Sequence, residues 1–128
     1  MMTAPVAASA PHLPRAAPID AYGNGGFRFA EMSHRGSILC LPSGIYAWER
    51  PEPDRLAAYA RVLAEGQALS LLLLGTGERL VRPGAEVCRA LRAAAIGLEV
   101  MDTGAACRTY NVLLAEGRCV GAALVAVA

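Results

Sequence analysis

Lysine is missing from this 128-residue chain, and its twelve basic side chains, all arginine, stand against eleven Asp plus Glu for a formal charge of +1. Neutralising phosphates takes many cations on one face, and no such cluster exists, so nucleic acid is excluded as an expected partner. Histidine is scarce, with only His12 and His34. The four cysteines, Cys40, Cys88, Cys107 and Cys119, form no Cys-x-x-Cys pair. Zinc sites show close paired ligands, so neither a metal nor any other cofactor is expected. Nothing marks the chain as exported, and reduced, mostly buried thiols are expected instead of a disulfide framework. Although 55% of the residues are hydrophobic, no apolar run approaches the roughly 18 residues of a membrane helix. A soluble, cytoplasmic protein is the expectation.

What is present begins with Met1 to Pro18, rich in Ala and Pro, with Pro5, Pro11, Pro14 and Pro18 breaking any helix. A mobile tail is expected over 1–18, and one α/β domain over 19–128. A secretory signal would need an apolar segment behind a basic start, and the tail's only arginine, Arg15, comes late.

Ile19 to Tyr22 and Phe27 to Ala30 flank the turn-rich Gly23-Asn24-Gly25-Gly26, which predicts a β-hairpin. Ser37 to Leu41 and Ile45 to Trp48, split by Pro42-Ser43-Gly44, add two short strands to this β-rich start. Trp48, the only tryptophan, is expected in the core or between layers. Pro51-Glu52-Pro53-Asp54 is suited to opening a helix, with Leu56, Tyr59, Ala60 and Leu63 on its buried face and Gly66 at its end.

The run from Ala68 to Leu74 is almost wholly apolar between glycines, as expected of a central strand buried on both faces. A second helix should stripe Val87, Cys88, Leu91, Ala94 and Ala95, and Leu98 to Met101 should form the next strand. The order strand, helix, strand implies a right-handed crossover between parallel neighbours. Gly75-Thr76-Gly77 and Asp102-Thr103-Gly104 then open at one sheet edge, where ligands of open α/β sheets bind. A last helix from Thr103 to about Glu116, with Ala106, Tyr110, Leu113 and Leu114 inward, ends at Gly117. The counting makes Arg118 to Val127 a buried parallel strand.

Two readings of that edge stay open. Gly75-Thr76-Gly77 lets backbone amides approach an anion, but it lacks the third glycine of a dinucleotide fingerprint and the Gly-Lys-Ser/Thr of a P-loop. Asp102 and Thr103 suit helix capping, worth about 1 kcal/mol. Cys107 would need a base to act as a nucleophile, and only His34 is available. Thr109, Tyr110 and Asn111 place three hydrogen-bonding side chains in a mostly apolar helix, which calls for partners. They either fasten the helix to the sheet or line a crevice.

Leu71 to Gly77 and the segment Gly97 to Arg118, centred on Ala106-Cys107-Arg108-Thr109-Tyr110-Asn111, with Ile19 to Gly23 upstream, carry a family resemblance. The chain resembles the small-domain family that includes mitochondrial complex I assembly factor three and the adipogenesis-associated Mth-type domain protein. The resemblance implies a three-layer β plus α/β/α domain with a mixed central sheet of about five strands and an N-terminal hairpin layer. It also implies that the last strand is antiparallel and lies inside the sheet, against the counting above. It further implies no enzymatic activity and no catalytic residue. The expected role is assembly through protein contacts, with respiratory complex I subunits or other assembly factors as partners, in the cytoplasm or peripheral to the inner membrane.

The rival expectation is a domain that binds an anionic metabolite, or acts on one. It would use a crevice at the ends of strands 69–74 and 98–101, bounded by Gly75, Thr76, Gly77, Asp102, Thr103, Gly104, Cys107, Thr109 and Asn111. A closed junction at those strand ends favours the interaction module, and an open polar pocket favours the metabolite.

Overall fold

A computed structural model describes residues 11–50 and 54–128. Its first three strands, β1 (Ala21–Gly23), β2 (Gly26–Phe29) and β3 (Met32–Arg35), form an antiparallel sheet in that order. Asn24 and Gly25 turn the predicted hairpin with φ of 53° and 79°, the pair of positive values that a two-residue hairpin turn needs. The next turn uses Ala30 and Glu31 at φ 48° and 66°. Neither residue signals a left-handed turn, which is why the pattern does not predict β3.

The second sheet is mixed, in the order β5-β4-β8-β6-β7. Its members are β4 (Ile38–Leu41), β5 (Gly44–Ala47), β6 (Leu71–Gly75), β7 (Gly97–Met101) and β8 (Val120–Leu124). The pair β4 and β5, expected with the hairpin at the β-rich start, belongs to this sheet instead. The reason is local: every residue of β4 is buried, so both of its faces need cover. Alternate side chains of β4, β6 and β8 supply two cores. Ile38, Cys40, Leu73, Ala122 and Leu124 enter one, and Leu39, Leu41, Leu72, Leu74 and Ala123 the other.

The last strand bears out the resemblance against one neighbour and the counting against the other. β8 lies inside the sheet, antiparallel to β4 but parallel to β6. A helical crossover returns it in the direction of β6 and β7, while β4 arrives from the opposite side as half of a hairpin.

Three helices cover the sheet: α1 (Ala60–Ala64), α2 (Ala85–Ala93) and α3 (Thr103–Ala115). Pro51-Glu52-Pro53, expected to open the first helix, lies outside the described residues. A 3-10 turn over Leu56–Tyr59 leads into α1. Its three-residue repeat puts Tyr59 and Val62 fully inside, while Leu63 is only partly buried. Trp48 is buried as expected; it donates its Nε1 to Ala58 O at 2.8 Å and meets Tyr59 edge-to-face. Helix α2 buries Val87 and Leu91 and stops at Ala93. Ala94 and Ala95 are exposed, because Ala95 takes φ 61° and the buried residue that follows is Ile96. α1 and α2 pack on one face of the sheet. α3 and the three-stranded sheet pack on the other.

Residues 11–18 also depart from expectation. Within the stretch read as a tail, His12 N–H donates to Ile45 O at 2.8 Å, and Ala17 is buried in the core. Met1 to Ala10 lie outside the described residues. His12 sits over His34 of β3 with ring centroids 4.4 Å apart. Burial, and then the neighbouring His12, lower the His34 pKa from its ordinary 6.5. The unfolded chain therefore binds this proton at a higher pH than the native one does. His34 makes its full contribution to stability above that value, and part of it is lost as the pH falls below it. Urea unfolding at several pH values should show His34→Gln losing less stability on acidification than the parent chain.

Candidate functional site

The corner where β6 and β7 end is built from backbone and one hydroxyl. Thr76 N–H donates to Met101 O at 2.9 Å, tying the loop after β6 to the end of β7, and Val125 N–H donates to Gly75 O at 2.9 Å. Thr103, the first residue of α3, has no exposed surface. Its Oγ1 donates to Val125 O at 2.7 Å and accepts the Gly77 N–H at 2.9 Å, and its own N–H donates to Gly77 O at 2.8 Å. One hydroxyl thereby joins the loop after β6, the start of α3 and the chain leaving β8. Thr76 Oγ1 accepts from Val81 N–H at 3.1 Å and donates to Arg79 O.

Glycine at position 75 closes the remaining space. A Cβ there would come within 3.0 Å of Ala106 Cβ, Leu124 Cδ2 and Thr103 Cα, so α3 lies directly on the end of β6. Asp102 caps α3 by accepting the Ala105 N–H at 2.8 Å. The amides of Thr103, Ala105 and Ala106 are therefore all engaged within the chain. Gly104 lies under Tyr22 of β1, since a Cβ at Gly104 would be 2.5 Å from the Tyr22 hydroxyl. The structure thus brings Gly75, Thr76, Gly77, Asp102 and Thr103 into one junction and fills it.

The other candidates lie along α3 and do different work. Cys107 is buried beside the hairpin layer, and burial pushes its thiol up to about 12 against the opposing pull of Arg108. A nucleophilic thiol needs the reverse shift. Asn111 accepts the Ile19 N–H on Oδ1 and donates from Nδ2 to Ile19 O, both at 2.8 Å. Its amide thereby replaces a strand partner for one residue. Tyr110 donates its hydroxyl to Ala17 O at 3.0 Å. Thr109 is half-buried and joins neither contact. Of the two readings of this polar set, fastening describes what Tyr110 and Asn111 do, but to the segment of Ala17 and Ile19 before β1 and not to the sheet.

Sequence reasoning missed the partners of these groups: Ala17, Ile19, Tyr22 and Val125. Three of the four take part through backbone atoms, which carry no residue signature. Among the described residues there is no group of three or more His, Cys, Asp or Glu able to hold a metal ion, and no helix long and apolar enough to cross a membrane.

Fold and corner together define a three-layer α/β domain whose strand ends are sealed by its own backbone. The chain belongs to the family described as proteins of unknown function (DUF498/DUF598), whose model matches residues 19–125. It is similar to NADH dehydrogenase [ubiquinone] 1 alpha subcomplex assembly factor 3 of Bos taurus, at 33% identity over 120 residues, covering 88% of this chain and 62% of that protein. It therefore spans about three-fifths of that relative's length. The crystal structure of a Bartonella henselae protein described as an outer membrane protein superposes with a TM-score of 0.86 at 52% identity, covering 91% of this chain and 100% of that one. A Bordetella pertussis Mth938-like domain superposes with a TM-score of 0.73 at 27% identity, covering 98% of this chain and 89% of that one.

The Thr103 hydroxyl can be tested directly. Thr103→Val keeps the shape but leaves Val125 O and Gly77 N–H without their partner, and should cost about 2 kcal/mol or more. Thr103→Ser should cost about half as much, and Asn111→Ala should fall in the same range of about 1–3 kcal/mol. Urea denaturation measures all three.

Proposed function

We propose that this chain is a non-enzymatic assembly factor that acts through protein contacts, in the assembly of respiratory complex I, with one domain formed by residues 19–128 and the packed residues 11–18. The observation that carries the reading is the sealed corner. In an open α/β sheet the strand ends are where a ligand would be held. Here the Thr103 hydroxyl, the Gly77 amide and the Gly75 carbonyl bond to one another's elements, and Gly75 leaves no gap for a ligand. Catalysis by the one buried thiol on α3 is opposed by its raised pKa. The complex I role is taken over from the bovine assembly factor, of which the chain spans 62%. The partners on this reading are complex I subunits or other assembly factors, met in the cytoplasm or at the inner membrane surface.

The deciding measurement is the level of assembled complex I, by native gel and NADH oxidation in membranes, after deletion of the gene in its own host. Assembled complex I is expected to fall while another respiratory complex stays constant, and the wild-type gene should restore it. An unchanged complex I level would remove this reading.

A further inference from the structure

We propose that the outer edge of β7, with the groove between it and α2, docks an extended acidic segment of a partner protein, which joins the sheet as a sixth strand. β7 ends the strand order, so among the described residues its far side meets no strand. Gly97 N–H donates to Ser70 O at 2.9 Å, and Met101 O accepts from Thr76 N–H at 2.9 Å. In a strand, N–H and C=O of one residue point to the same side and alternate along the chain. The backbone groups of residues 97, 99 and 101 therefore face β6, and those of Leu98 and Val100 point out of the sheet. That is the pattern that strand addition uses.

Natural edges are usually guarded by lysine, proline, a bulge or an inward charge. β7, with the sequence Gly-Leu-Glu-Val-Met, has no lysine or proline and pairs in register with β6 along its whole length. Its one charge, Glu99, is exposed and stands opposite Leu73, on the α3 side of the sheet. The α2 side carries instead a groove of about 350 Å³, with Leu91, Ile96, Leu98 and Val100 among its apolar residues and Arg82 and Arg92 as its only charged ones among the described residues. The loop that brings in Arg82 also exposes Leu80 and Val81, at 59% and 48%.

These features select the occupant. An added strand places alternate side chains over the groove, where apolar ones meet Leu98 and Val100, and carboxylates at its margins meet the two guanidiniums. A second copy of this chain fits poorly. Pairing β7 with its twin would bring two Arg82 and two Arg92 to one seam, with Glu99 on the other face.

That the occupant is a protein rests on the interaction reading above, but the two fail separately. The gene deletion reads complex I, and the following experiment reads the β7 amides. Amide hydrogen exchange is followed by NMR on the full chain, alone and with the short acetylated peptide Glu-Thr-Val-Thr-Val-Thr-Glu, whose groove-facing side chains are the two Val with a Glu at either end, with the same peptide carrying Lys for Glu as control. The Leu98 and Val100 amides should exchange freely in the protein alone. The acidic peptide should slow them by about tenfold or more, and the basic one should not. Val100→Pro removes one outward donor and no bond to β6, so it should abolish the slowing at Leu98.

Arg82→Glu with Arg92→Glu should reverse the preference between peptides. Both side chains are exposed, so this variant decides the matter if Val100→Pro unfolds. Equal slowing by both peptides, or none by either, overturns the proposal. So does protection in the free protein that grows with its own concentration, which would assign the edge to a second copy.

Discussion

The fully buried hydroxyl of Thr103 is the group on which the arrangement of layers depends. It bonds at once to the loop leaving β6 and to the chain leaving β8, and it does so from the first residue of α3. Two parallel strands and the helix that covers them are thereby fixed at one point. A buried backbone carbonyl or amide left without a partner costs more than the hydrogen bond itself contributes. Position 103 must therefore carry a hydroxyl in contact with both segments. Gly75 completes the constraint sterically, because any side chain there would push α3 off the sheet. Function follows from the same economy of space. A corner packed this tightly positions elements, and on the reading proposed above contact with other molecules falls to the outer surfaces.

The elements were legible wherever the pattern was long or the turn chemistry explicit. The apolar run ending at Leu74, the Asn24-Gly25 turn and the capped start of α3 at Asp102 are all found as expected. Where legibility failed, the cause was local and physical. β3 follows a turn made by Ala30 and Glu31, residues that rarely adopt positive φ. The burial of Ala17 depends on a partner far away in sequence, and composition alone made its neighbourhood look like a tail. For β8, counting gave the direction relative to β6, and the resemblance gave the central position and the direction relative to β4. Neither gave both directions, because a mixed sheet offers one strand two neighbours of opposite sense.

At the candidate site, residue types narrowed the choices without deciding between them. Asp102 and Thr103 read equally well as caps or as crevice walls, and only distances separate the two. Asp102 caps, while Thr103 bridges three segments. The polar set on α3 called for partners, and Asn111 and Tyr110 found them in the backbone of Ile19 and Ala17. The family match over residues 19–125 spans the corner and the contact of Asn111 with Ile19, and begins after Ala17.

The hold of α3 on the segment of Ala17 and Ile19 bears on the order in which the molecule forms. The contacts of Asn111 with Ile19 and of Tyr110 with Ala17 join residues 92 and 93 positions apart, and Gly25 N–H reaches still further along the chain to Val127 O. β4 likewise waits for β8 before it has a neighbour on its inner side. Contacts of such long range are slow to form, because the intervening chain must be closed into a loop first. During synthesis the hairpin layer and β4 leave the ribosome with their apolar faces uncovered, and they stay so until α3 and β8 follow. Completion of this fold therefore waits for α3 and β8.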